Sequence, residues 1–437
     1  MAYPFLQIVI QIHFVYISLL TLFPDIEVNN FLIKRYETNF REVFIENKEA
    51  LQLPLSNFGT GLINLMVFVT NLIINSENIS ILCIDEPENN LHPSLQKKFY
   101  NFLKEIAKER GIQIFISTQS TYFLDAFNIK NIYHIAIEDA QAKVFKCKTE
   151  IYENLRDLIR IINVKSTQFF FADKIILVEG LSDALVLSYF AKKLGHEFEA
   201  ENILFLDIGG KDNFQKYKKL LESFGIKTFI IADCDFIIRG LEKILKDYDD
   251  NSTFKQQIQE IRQKLLEELD KEIQNRSTIL KGKNYKKLIS KIKGHKDKFH
   301  NIIGLLRKIH KLEHLEDDEI NLLEYFIEFE DFWKKEKIVK EIDSKAKTEI
   351  TRLLASENIL ILRKGELEDY YPEIPGTKNE KALKIIDTYD GNKIREIGKS
   401  DSQVVLDIVS DDGKITTVKS ENEFFLFFEV ISSRFNF

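Results

Sequence analysis

Three apolar runs that end in carboxylates constrain this chain more than any other feature. Residues 81–93 read ILCIDEPENNLHP, residues 175–183 read IILVEGLSD, and residues 230–235 read IIADCD. A short, continuous apolar stretch suits a strand buried on both faces, the situation of strands in a parallel sheet. Acids that follow such strands collect at the carboxyl edge of the sheet, where α/β proteins build their sites. The flanking pattern agrees: a strand at 79–84, a helix at 94–110 stopped by Gly111, and a strand at 113–117 form one β–α–β unit. From residue 174 the alternation restarts, with helices at 183–194 and 213–224 and strands at 203–206 and 228–232. Two separate parallel sheets, hence an α/β fold, are expected.

Upstream, 27–36 and 40–53 alternate as short strands, and 60–74 is an apolar helix preceded by a glycine pair. Between about 237 and 356 the pattern changes to long polar helices, with Phe254, Ile258, Ile261, Leu265, Leu269 and Ile273 at helical spacing. A strand-like run at 358–362 follows, so the helices read as an insertion. Within them, residues 281–311 hold eleven Lys or Arg against one acid, Asp297. Such a run is either a solvated helix face or an arm for nucleic-acid phosphates. The segment from 387 reads as short strands and turns without assignable chemistry.

Net charge is only -7, so no global basic field draws in nucleic acid and any contact needs a local patch. Cys83, Cys147 and Cys234 have no zinc-ligand spacing and suit a reduced cytosol, which points to a cytoplasmic protein. Residues 1–24 carry no charge, but Gln7, Gln11 and His13 interrupt the run and no basic flank or cleavage site accompanies it. No membrane association is expected; the segment reads as a buried helix of a lobe whose beginning has been cut off.

Adjacent Asp85 and Glu86, followed by PENNLHP, resemble the Walker B strand and D-loop of the SMC, RecF and OLD group of ABC-type ATPases. In that resemblance Asp85 holds the Mg²⁺ water shell and Glu86 polarises the attacking water. LSNFGTG at 55–61 resembles the signature motif, whose Ser56, Gly59 and Gly61 would face a γ-phosphate from a helix N-terminus. IFISTQS puts Gln119 where the switch histidine stands; glutamine donates a hydrogen bond but takes up no charge. No G-x-x-x-x-G-K-[ST] phosphate loop occurs among the seventeen glycines. LTLFPDIEVNNFLIKRY resembles the stretch that follows that loop, so an N-terminally truncated or split member is expected. ATP would then bind only with a complementing Walker A from another polypeptide.

Two-metal cleavage of a phosphodiester needs several carboxylates converging on two ions. Glu179 and Asp183 come from one strand–helix junction and Asp233 and Asp235 from another, while DIGGKDN places Gly209 and Gly210 between them. Capping of helix starts would explain Asp183 but not the other three. The E-G-x-x-D and D-x-D pair resembles the Toprim motif. LRKGELEDYYP at 362–372 resembles the OLD segment that adds a metal-binding carboxylate, with Glu368 first and Glu366 second. The same resemblance implies a lysine against the scissile phosphate: Lys378, with Lys364 as its rival. The metal ligands implied are Glu179, Asp183, Asp233, Asp235 and Glu368, an all-oxygen set suited to Mg²⁺ or Mn²⁺.

An ATPase half followed by a Toprim half resembles the OLD-family (overcoming lysogenization defect) ATP-dependent endonucleases. That resemblance implies a partial ABC-type ATPase lobe over 1–165, a Rossmann-like Toprim domain over 170–386 with the insertion at about 237–356, and a tail at 387–437. It implies a metal-dependent endonuclease acting on DNA, with RNA left open, working as a homodimer or larger homo-oligomer, often in antiphage defence. The competing reading is a non-catalytic assembly or sensor subunit for a partner that carries the phosphate loop. A topoisomerase or primase would need a strand-passage tyrosine domain or a zinc-binding primase segment, and neither is visible.

Overall fold

The computed structural model describes residues 28–35, 41–47, 52–57, 59–75, 79–124, 126–138, 141–146, 167–275, 331, 334–409 and 415–435. The chain divides into two compact units, 1–132 with 152–171, and 133–151 with 172–437.

In the first unit, β1 (Val28–Arg35), β2 (Arg41–Asn47) and β3 (Gln52–Pro54) form an antiparallel sheet, with Phe31 opposite Ile45 and Phe44 opposite Pro54. Helix α1 (Thr60–Asn75) follows the glycine pair. Strands β4 (Ile81–Asp85) and β5 (Gln113–Ser117) run parallel, joined by α2 (Pro93–Arg110). The start and stop of α2 follow from local chemistry. His92 caps it, Pro93 fills the first turn where no N–H is missed, and Gly111 ends it at φ 66. Leu65, Val69 and Leu72 of α1 bury against Phe99, Leu103 and Ile106 of α2, and this apolar seam is the core of the unit.

The second unit holds a four-stranded parallel sheet in the order β11-β10-β8-β9, where β8 is Lys174–Val178, β9 Ile203–Asp207, β10 Lys227–Ala232 and β11 Ile359–Ile361. Ile175, Ile176, Leu177 and Val178 are fully buried, as a strand covered on both faces requires. Helices α3 (Leu181–Leu194) and α4 (Phe214–Ser223) make the crossovers. Since all four strands are parallel, their carboxyl ends share one edge. The register levels them: Leu177 faces Ile230, Val178 faces Asp207, and Ala232 faces Ile361. The whole segment between Ala232 and Ile359 is thus an insertion between neighbouring strands. Its described part includes α5 (Thr253–Asn275), which buries Ile258, Ile261, Leu265 and Leu269, and α6 (Lys345–Ser356). The basic run at 281–311 and the uncharged segment at 1–24 lie outside the described residues. No helix among the described residues is long and apolar enough to cross a membrane.

The observed organisation differs from the sequence-based one at two places. The hairpin of β6 (Tyr133–Glu138) and β7 (Gln141–Lys146), expected within the ATPase lobe, groups with the second unit. The His134 ring nitrogen bonds the Phe224 carbonyl at 2.7 Å, and the Phe145 ring lies over Gly225 where any Cβ would collide. The region from 387, expected as a separate tail of strands and turns, folds onto the parallel sheet. After α7 (Lys378–Thr388) it forms α8 (Gly391–Ile397), a hairpin of β12 (Lys399–Val409) and β13 (Ile415–Asn422), and α9 (Glu423–Phe435). Phe424, Phe427 and Ile431 of α9 are buried with Val186 and Phe190 of α3 in one core.

Candidate functional site

The carboxyl edge of the parallel sheet gathers the acids. Glu179 follows β8, Asp233 and Asp235 follow β10, and one carboxylate oxygen from each lies within 4.8 Å of the others. Asp183, on the first turn of α3, is buried and accepts the Gly180 N–H through Oδ2 at 2.9 Å, so it also caps the helix. Glu368 sits in the turn after β11, where Lys378 Nζ approaches its Oε2 to 3.1 Å and Glu366 Oε2 to 3.5 Å. Lys364, the rival lysine, points elsewhere: its ammonium donates to the Ile397 carbonyl at 2.7 Å and lies over the Tyr370 ring.

Electrostatics tie these groups into one site. Burial, reinforced by the Asp235 carboxylate, pushes Glu179 up to about 7. Burial also pushes Asp183 up to about 6, with Lys378 opposing it and Glu368 adding to it. Asp233 stands well above the usual carboxylate range because it is buried and faces Glu179 and Asp183. Burial works against the charge of Lys378, but Asp233, Glu368 and Asp183 outweigh it and hold the ammonium above the ordinary lysine range. Several acids thus share a desolvated edge that favours their neutral forms unless positive charge arrives.

The donor set fits a divalent cation. Asp235 Oδ1 and Glu368 Oε1 are buried and accept no hydrogen bond, whereas Glu368 Oε2 is already ion-paired with Lys378. Buried polar atoms are seldom left so, and a bound ion is one of the few things that answers them. Every ligand offered is a carboxylate oxygen, the donor type that hard divalent cations favour.

Sequence reasoning did not single out two side chains here. Lys211, inside the DIGGKDN junction, donates to Asp235 Oδ2 at 2.7 Å and to Glu336 Oε1 at 3.1 Å. The motif displays Lys211 but not what it touches, and nothing in sequence marks Glu336, which arrives from the insertion. Gly209 and Gly210 have φ of 69° and 119°, and the Gly210 N–H donates to the Glu179 carbonyl at 2.8 Å. The two glycines therefore let this junction fold against the Glu179 turn.

The first unit carries its own polar cluster. Asp85 accepts the Ser117 hydroxyl across the β4–β5 pair. Glu86, at φ 42, accepts Gln119 Nε2 at 2.9 Å and Asn89 Nδ2 at 3.0 Å. Glu88 accepts the Thr118 hydroxyl and the Gln119 N–H, each at 2.7 Å. Glu86, Glu88, Gln96, Gln119 and Tyr122 line an open cleft of about 390 Å³. Ser56 and Gly59 lie exposed near the start of α1, whereas Gly61 packs against the Asn90 carbonyl so closely that a Cβ would fall 1.9 Å from its oxygen. Only glycine fits there, which couples the glycine turn to the PENNLHP loop.

Comparison with known proteins bears on both units. Residues 170–235 match the family model for the overcoming lysogenization defect protein-like TOPRIM domain, and residues 15–124 match that for an AAA ATPase domain. The chain is 29% identical to the Old nuclease of Escherichia phage P2 over 49% of its length and 40% of the relative's. It is 26% identical to the endonuclease GajA of Bacillus cereus strain HuB5-5, over 47% of this chain and 34% of that one. Identity is also 26% to the OLD nuclease of Thermus scotoductus, over 45% and 39% respectively. The chain thus spans two fifths or less of the length of these relatives. It carries an AAA-type ATPase domain followed by an OLD-like Toprim domain.

Proposed function

We propose that this chain, with its OLD-like Toprim domain behind an AAA-type ATPase domain, is a metal-dependent endonuclease that cuts DNA at the carboxyl edge of the parallel sheet. The observation that carries this reading is the convergence of Glu179, Asp233 and Asp235 within 4.8 Å, where Asp235 Oδ1 has no hydrogen-bond partner. These three would hold one divalent ion, and Asp183 and Glu368 the carboxylates for a second. Divalent ions at such a site polarise the phosphodiester, lower the pKa of water and stabilise the leaving oxygen. Lys378, ion-paired to Glu366 and Glu368, would neutralise a scissile phosphate. The names of the relatives, two of them nucleases and one an endonuclease, support the same chemistry.

In this reading the ATPase domain regulates and pairs copies of the chain into a dimer or larger homo-oligomer, in the cytoplasm, in a defence role against phage. The sequence has no phosphate loop, so nucleotide turnover would draw on a Walker A segment outside it. The test is nicking of supercoiled plasmid with Mg²⁺ or Mn²⁺. Wild type should nick, and EDTA or Glu179→Ala should abolish the reaction. Cleavage that persists in either case refutes the assignment and leaves the alternative of an assembly or sensor subunit.

A further inference from the structure

The two oxygens of Asp235 are in different situations, for Oδ2 accepts a lysine ammonium and Oδ1 accepts no hydrogen bond. Lys211 Nζ donates to Asp235 Oδ2 at 2.7 Å and to Glu336 Oε1 at 3.1 Å, and the Lys211 and Glu336 side chains are only 13% and 5% exposed. Charge-assisted bonds in such a dry setting are short, directional and costly to break from one side. Asp235 Oδ1, in contrast, is buried without a partner. Lys211 is itself fixed from behind: it follows Gly210, whose N–H bonds the Glu179 carbonyl, so one backbone turn ties the lysine to another acid of the cluster. Glu336 belongs to the insertion, far from the strand ends in sequence.

We infer that Lys211, braced by Glu336, is a positioning residue that locks the rotation of the Asp235 carboxylate so that Oδ1 is the oxygen offered to a divalent cation. The inference rests on the metal-centre reading above and goes beyond it by assigning a role to two residues outside the ligand set. It separates from a simple charge effect by sign. If Lys211 acted only as a nearby positive charge, removing it would tighten divalent-cation binding. If it orients Asp235, removing it weakens binding although the site becomes more negative.

The experiment is Mn²⁺ binding to the full chain without DNA, by calorimetry or by the resonance signal of free Mn²⁺, with thermal unfolding in EDTA as the folding control. Lys211→Met should lower affinity roughly tenfold, the usual loss when a partner that orients a metal ligand is removed. Lys211→Met with Glu336→Leu removes one charge of each sign, leaves neither stranded and should also lose roughly tenfold, which covers the case in which the single variant does not fold. In an Asp235→Asn background, Lys211→Met should change affinity by less than about twofold, since a residue that acts through Asp235 has nothing left to orient. A general structural role would lower affinity equally in both backgrounds. Folded Lys211 variants that bind Mn²⁺ as tightly as wild type, or more tightly, overturn the inference, and so does an equal loss in both backgrounds. If wild type binds no Mn²⁺, or Glu179→Ala leaves binding intact, the metal-centre reading falls and this one with it.

Discussion

Without metal, the carboxylate cluster should make the protein progressively less stable as pH rises, and Glu179 carries a share large enough to measure. Its ordinary value of 4.5 is pushed up to about 7 in the fold, chiefly by burial and then by Asp235. A difference of about 2.5 in pKa corresponds to about 3 kcal/mol between the protonation states. The folded state binds the proton more tightly than the unfolded one. The stabilisation is therefore complete below the unfolded value and is lost as pH climbs through about 7. Asp183, raised to about 6, adds a loss of the same sign over a slightly lower window. Between pH 5 and pH 8, the Glu179 share amounts to between about 2 and 3 kcal/mol. Glu179→Gln keeps the shape and removes the titration, so its unfolding free energy in urea with EDTA should fall less steeply with pH than that of wild type, by this amount. At pH 8, Mn²⁺ should restore stability to wild type and leave the glutamine variant unchanged. Parallel pH profiles for the two proteins would refute the argument that Glu179 is a desolvated member of a like-charged cluster.

Two further outcomes are expected. A polypeptide of this sequence alone should show no appreciable ATPase activity, because the sequence contains no G-x-x-x-x-G-K-[ST] phosphate loop; robust hydrolysis that depends on Glu86 would contradict this. Reversing several lysines of the 281–311 run should weaken DNA binding across all sequences and flatten its salt dependence by roughly one unit of log–log slope per lost phosphate contact. An unchanged affinity and slope would make the run a solvated helix face.

The strands that carry the acids were legible because a strand buried on both faces leaves a continuous apolar signature: IILV of β8 and FIIA of β10 admit few other folds. Parallel pairing then dictates that Glu179 and Asp233 end at the same edge. Asp183 was legible twice over, as a motif residue and as a helix cap. Contacts between distant segments were not. The family resemblance ranks Lys378 over Lys364 without saying what either touches, and it is the fold that sets the first against Glu368 and the second on the Ile397 carbonyl. Glu336 meets Lys211 across the insertion, a pairing without any sequence period to announce it. The apolar run FFLFFEVI of α9 was plain in composition, yet its partner α3 could not be inferred, so a core helix read as part of a tail. At Gly61 the requirement for glycine comes from the Asn90 carbonyl, which no local turn preference reveals.

Anomalous scattering from crystals of the protein grown with Mn²⁺ above pH 7.5, on the alkaline side of the value of about 7 to which Glu179 is raised, locates the metal directly. A strong peak is expected, bounded by the carboxylates of Glu179, Asp233 and Asp235, and it should vanish in Glu179→Ala crystals of the same form. Mn²⁺ bound only at other places, or a peak that persists at the strand ends when Glu179 is gone, would contradict the metal-centre reading.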